Sequence, residues 1–118
     1  AKPKTKIHSL EKQIQKLALE IKKQPFKKYT LKNLAHELHL SYSHFRRVFK
    51  LYTHRSPQDY ILFCRMAKAG KILLNTGCTV KQAAHQAGYN DQCVFSRTFK
   101  KQMGVSPLHY KDMVRGAY

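Results

Sequence analysis

Two arginines at matched positions offer the clearest chemistry in this chain. Arg47 and Arg97 sit in parallel stretches, Phe45-Arg-Arg-Val-Phe-Lys50 and Phe95-Ser-Arg-Thr-Phe-Lys100. A guanidinium is a planar fork of donors that pairs with O6 and N7 of guanine, and Asn or Gln pairs similarly with adenine. Ser43, His44 and Arg46 surround the first arginine in sequence, and Asn90, Cys93 and Ser96 surround the second. Lys50 and Lys100 suit phosphate contacts, which set register without reading sequence. Catalysis is not expected. The six acids (Glu11, Glu20, Glu37, Asp59, Asp91, Asp112) are scattered, and there is neither a nucleophile motif nor a Gly-rich phosphate loop. Cys64, Cys78 and Cys93 are odd in number and lack a CxxC pair, which suits reduced thiols in a reducing compartment. His36 and His39 lie three apart but join no two-pair ligand set, so neither a metal nor a cofactor is expected.

The whole chain carries the same bias. Among its 118 residues, 23 Lys+Arg stand against 6 Asp+Glu, for a formal net charge of +17 and a pI near 10.1. With 42% apolar residues, seven Tyr and six Phe, it is too apolar for a disordered polycation. A folded domain of this charge is suited to an anionic partner: nucleic acid, an acidic membrane surface or an acidic protein. No apolar run reaches the roughly 20 residues of a transmembrane helix, and no signal-peptide core is visible. A membrane-surface role lacks an exposed apolar face with aromatic anchors.

The elements that must position the arginines follow from an internal repeat. Thr30–Leu38 aligns with Thr79–Ala87 at an offset of 49, and Phe45–Tyr60 with Phe95–Tyr110 at an offset of 50. Leu31, Leu34, Ala35 and Leu38 follow i, i+3, i+4, i+7 spacing, and Val80, Ala83, Ala84 and Ala87 match them. Each set predicts a short helix with a Thr cap and one buried stripe. A tight turn follows, with Gly88 at the left-handed position in the second copy and His39 in the first. The next helix buries Phe45, Val48, Phe49 and Tyr52, or Phe95, Thr98, Phe99 and Gln102. At about 100° per residue, Ser43, Arg47 and Lys50 then face outward, flanked by Arg46 and His44. Cys93, Arg97 and Lys100 do so in the second copy, flanked by Ser96 and Asn90. Two short helices, a tight turn and a small residue (Ala35, Ala84) at the crossing describe a helix-turn-helix.

Ser56-Pro57 and Ser106-Pro107 open a further helix after each copy. The first runs to about Asn75, with Gly77 as its stop, and is long enough to hold two reading heads in successive major grooves. Gly70 inside it marks a bend or a close contact. Ahead of the repeat, Ile7, Leu10, Ile14, Leu17 and Ile21 predict an amphipathic helix ended by Pro25. The expected fold is all-α, with about seven helices in two helix-turn-helix subdomains (7–55 and 77–118), a linker helix (56–76) and a basic tail (1–6). The chain does not open on Met and reads as a piece of a longer protein. Thr30, Lys32, Thr79 and Lys81 join Lys50 and Lys100 as candidate phosphate contacts, with Ser56 and Ser106 also at helix N-termini. For the four hydroxyl residues, capping alone is the other role. Arg65, Lys68 and Lys71 on the linker helix are open to a solubility role. For Asp91, at the head of the second reading helix, capping is the plain role and holding Arg97 in position a sharper one compatible with it.

The chain resembles the DNA-binding domain of AraC/XylS-family bacterial transcription regulators from about Ile7 to Val114. Thr30-Leu-Lys-Asn-Leu-Ala35, Phe45-Arg-Arg-Val-Phe-Lys50 and Ser56-Pro57-x-x-Tyr60 carry the resemblance in the first copy. In the second it rests on Ala84-x-x-Ala-Gly-Tyr-Asn-Asp91, Phe95-Ser-Arg-Thr-Phe-Lys100 and Gly104-Val-Ser-Pro-x-x-Tyr110. The resemblance implies two helix-turn-helix units reading double-stranded promoter DNA, contact with RNA polymerase, usually activation, and a cytoplasmic bacterial setting. It places base reading on Ser43, Arg46 and Arg47, and on Gln92, Cys93, Ser96 and Arg97. His44 and Asn90 fall with the backbone contacts, and Cys93 stands where a polar residue is more common. An effector or dimerisation domain is expected outside the chain. The competing expectation is a sequence-indifferent DNA-packaging or architectural protein, which shares the charge but does not require the matched arginines.

Overall fold

The computed structural model describes residues 3–115, with side chains from Ser9 to Met113. Among the described residues it holds seven α-helices and no strand: α1 (Pro3–Lys23), α2 (Leu31–Glu37), α3 (Tyr42–Thr53), α4 (Pro57–Asn75), α5 (Val80–Gln86), α6 (Gln92–Met103) and α7 (Pro107–Arg115). The fold is all-α, as expected. One boundary differs, because α1 begins at Pro3, so Pro3–Lys6 is helical and not tail. Proline suits a first helical position, since its missing N–H has no helical partner to lose there. The chain forms two compact units, Ala1–Ile61 and Leu62–Tyr118, whose boundary falls inside α4.

The first unit is built on α1, α2, α3 and the first turn of α4. Ile14, Leu17, Ala18 and Ile21 of α1 are buried, with Leu34 and Ala35 of α2 and Phe45, Val48 and Phe49 of α3. Leu10 is half-buried, and Ile7 lies outside the described side chains. Phe49 stands 5.7 Å from Phe45 and 5.4 Å, edge to face, from Tyr60. The Tyr60 hydroxyl donates to the Ala18 carbonyl at 3.1 Å, tying the start of α4 to α1.

The second unit repeats this arrangement. Phe99 stands 5.9 Å from Phe95 and 5.4 Å from Tyr110. Met66, Ala69 and Leu73 of α4 are fully buried, as are Ala83, Phe95 and Phe99. Within its unit α4 takes the place of α1, with buried Met66, Ala69 and Leu73 at the spacing of Ile14, Leu17 and Ile21. Gly70 is then the counterpart of Ala18. A Cβ at Gly70 would stand 3.1 Å from the Tyr110 ring, so this glycine marks a close contact. Tyr52, Thr98 and Gln102, expected inside, are half-buried because each sits at the margin of its helix's apolar stripe.

The left-handed turns fall where the repeat places them. His39 has φ 59° and Gly88 φ 89° between the paired helices, while His54 (φ 67°) and Gly104 (φ 89°) close α3 and α6. Glycine bears this conformation at little cost and histidine less easily.

Candidate nucleic-acid interface

Each reading helix starts on a side-chain cap. Ser41 accepts from the His44 amide at 3.2 Å, and Asp91 accepts from the Cys93 amide at 2.8 Å. Ser41 is the repeat counterpart of Asp91, a cap that sequence reasoning missed although Ser directly before the apolar period signals one. The buried phenylalanines then fix how each helix is rotated. On α3, Phe45 and Phe49 are fully buried, which leaves Ser43, His44, Arg46, Arg47 and Lys50 exposed. On α6, Phe95 and Phe99 are fully buried, leaving Gln92, Cys93, Arg97 and Lys100 exposed and Ser96 half-buried. Asn90 is exposed in the turn before α6. The structure thus gathers the sequence-derived reading residues onto one exposed face per unit.

Electrostatically these faces are unneutralised. Arg55 pairs with Asp59 at 2.8 Å at the start of α4. Arg47 and Arg97 pair with no carboxylate among the described residues. Asp91 caps α6 through the Cys93 amide and forms no ion pair with Arg97. Arg46 stacks over Tyr42 with 5.9 Å from its guanidinium carbon to the ring centroid, which steadies a long side chain at the edge of the face. Cys93 is an exposed free thiol, Cys64 is buried and Cys78 half-buried.

The supporting helices show where the two copies diverge. Thr79 forms a complete capping box with Gln82: its hydroxyl accepts from the Gln82 amide at 3.1 Å, and its own amide donates to Gln82 Oε1 at 2.9 Å. Thr30 occupies the same position but makes no side-chain cap bond, contrary to expectation. The cap backbones differ, with ψ 118° at Thr30 and 162° at Thr79. Asn33 stands where Gln82 does, one methylene shorter than the side chain that returns to the cap amide in the second copy, and the Thr30 hydroxyl remains unspent by the cap. Ser56 and Ser106 accept from the Asp59 and His109 amides at 3.2 and 3.1 Å, so both act as caps. Lys32 and Lys81 are exposed one residue beyond Leu31 and Val80 at the helix starts. An open groove of about 970 Å³ in the second unit borders this region, with Lys81, His85, Asn90 and Gln92 in its wall.

Residues 34–113 match the model of a family described as a helix-turn-helix domain. The chain belongs to the AraC-type helix-turn-helix family. An HTH-type transcriptional regulator, AlkR of Acinetobacter baylyi, is 32% identical over 88 residues, 75% of this chain and 29% of that protein. The solved C-terminal domain of AraT, a response regulator from Geobacillus stearothermophilus, is 31% identical with a TM-score of 0.74, over 86% of this chain and 84% of that one. The DNA-binding domain of AdpA, solved with a target DNA, shares the fold at 20% identity and a TM-score of 0.77, over 88% of this chain and 94% of that one. This AraC-type chain spans about three-tenths of the length of the curated relatives it matches. Membership makes it a DNA-binding domain and not an enzyme.

Proposed function

We propose that α3 and α6 read bases in successive major grooves of promoter DNA. Base contacts fall to Ser43, Arg46 and Arg47 on α3 and to Gln92, Cys93, Ser96 and Arg97 on α6. Phosphates are held by Thr30, Lys32, His44 and Lys50, and by Thr79, Lys81, Asn90 and Lys100. One observation carries this reading: Arg47 and Arg97 are exposed and unpaired at matched positions, each on a helix anchored by two fully buried phenylalanines. A uniform coat of charge would not need that match. The 19 residues of α4 measure roughly 28 Å, close to the 34–36 Å or so of one DNA turn. The division into subdomains 7–55 and 77–118, joined by a linker helix at 56–76, belongs to the same proposal.

The function extends to regulating transcription, with RNA polymerase as a protein partner and an effector or dimerisation domain elsewhere in the longer protein. A cytoplasmic, nucleoid-associated setting follows from that role. No helix among the described residues is long and apolar enough to cross a membrane. Selection of bound duplexes from a random pool tests the reading. Two recovered blocks about 10 base pairs apart are expected. Binding to the selected site should exceed binding to random duplex by about 10³ or more at roughly 150 mM salt. A ratio near unity would return the chain to the architectural class, and a single unspaced motif would sink simultaneous docking of two heads.

A further inference from the structure

The solvent side of α1 carries a pattern that DNA reading does not use. Lys12, Lys16 and Lys23 fall within about 40° of one another at 100° per residue. They lie opposite Ile14, Leu17 and Ile21, which face the core. All three are exposed and none forms an ion pair. Lys12 and Lys16 are a like-charge i, i+4 pair, an arrangement that weakens a helix when nothing anionic covers it. Beside this arc, about 20° past Lys12 and between Lys16 and Lys23 along the helix, sits Leu19, 51% exposed. At the corresponding place on α4 the second unit has Lys71, so an exposed leucine is a departure from the repeat.

Leu19 also borders a shallow groove of about 330 Å³ whose wall includes Ala18, Tyr52, Thr53 and Tyr60. In the second unit the ring of Tyr110 lies on Gly70 at the equivalent place. Because α1 packs on the buried side of α3, this surface faces away from the α3 reading face of the same unit. An apolar centre with a cationic rim is the complement of a negatively charged protein segment that presents one apolar side chain. Bare phosphates would satisfy the lysines but leave Leu19 against polar groups. We propose that the outer face of α1 and its groove dock an acidic protein segment, with Leu19 and the groove receiving an apolar anchor and Lys12, Lys16 and Lys23 receiving carboxylates.

Two labelled model peptides test this on the full chain: an acidic helix-forming peptide with one central leucine, and the same peptide with serine there. Fluorescence anisotropy at about 100 mM salt should give at least about tenfold tighter binding of the leucine peptide. Leu19→Lys should remove that preference, and the combined Lys12→Glu, Lys16→Glu and Lys23→Glu changes should abolish binding of both. Circular dichroism should show both variants fully helical, since every altered side chain is exposed. The Arg47→Ala/Arg97→Ala variant should bind the leucine peptide unchanged, which separates this surface from the reading faces. Equal binding of the two peptides, no binding of either, or displacement of the peptide from that arginine variant by random duplex DNA would overturn the proposal.

Discussion

Arg47 and Arg97 gain their meaning from what lies behind them. Each projects from a helix whose rotation is fixed by a pair of fully buried phenylalanines, so little of its reach is lost to helix rolling. Arg97→Ala is expected to lose roughly 1–3 kcal/mol on a selected duplex and to relax one base preference, read from binding to a panel of single-base variants. Arg97→Lys keeps the charge but removes the bidentate fork, so base preference should fall while the salt dependence stays. If Arg97→Lys kept full discrimination, the arginine would be a phosphate contact. Asp91 acts at the same scale by a different route. Its carboxylate spends itself on the Cys93 amide, and Asp91→Ala should lower stability by about 0.5–2 kcal/mol, measured by urea denaturation.

At the scale of the element, the two copies use one plan with unequal parts. Thr79→Ala removes a complete capping box and should cost about 0.5–2 kcal/mol, whereas Thr30→Ala should stay within about 0.5 kcal/mol. Paired denaturation curves distinguish them, and equal losses would contradict the cap assignment. Gly88→Ala should cost about 1–2 kcal/mol by placing a Cβ at φ 89°. Much of this plan was legible in the residues. The apolar periods, the Ser-Pro starts and the matched Phe–Arg–Lys stretches located α2 to α7 and the two exposed faces. What escaped had physical causes. The failure of the Thr30 cap goes with a different cap backbone, ψ 118° against 162° at Thr79, which residue type alone does not reveal. The equivalence of α1 and α4 was masked because Ile14, Leu17 and Ile21 are replaced by Met66, Ala69 and Leu73, which fill similar positions with other shapes. Leu19 falls outside the apolar stripe of α1, but spacing alone does not tell whether another element covers it.

For the molecule as a whole, a net charge of +17 is both a driving force for binding DNA and a source of self-repulsion. The proposed phosphate contacts include only four of its 23 lysines and arginines (Lys32, Lys50, Lys81 and Lys100), so most of the charge acts at a distance and is screened by salt. Binding to a selected duplex should weaken linearly in log–log form as salt rises, by a slope near −0.9 per phosphate neutralised. Lys50→Ala/Lys100→Ala should flatten that slope by about 2 and weaken selected and random duplexes alike. Arg47→Ala/Arg97→Ala should instead collapse the ratio between the two duplexes. Should the lysine pair alter discrimination and the arginine pair only the slope, the assignment of reading and gripping residues would have to be reversed. Matched titrations of wild type and both variants from about 50 to 200 mM salt decide between these outcomes.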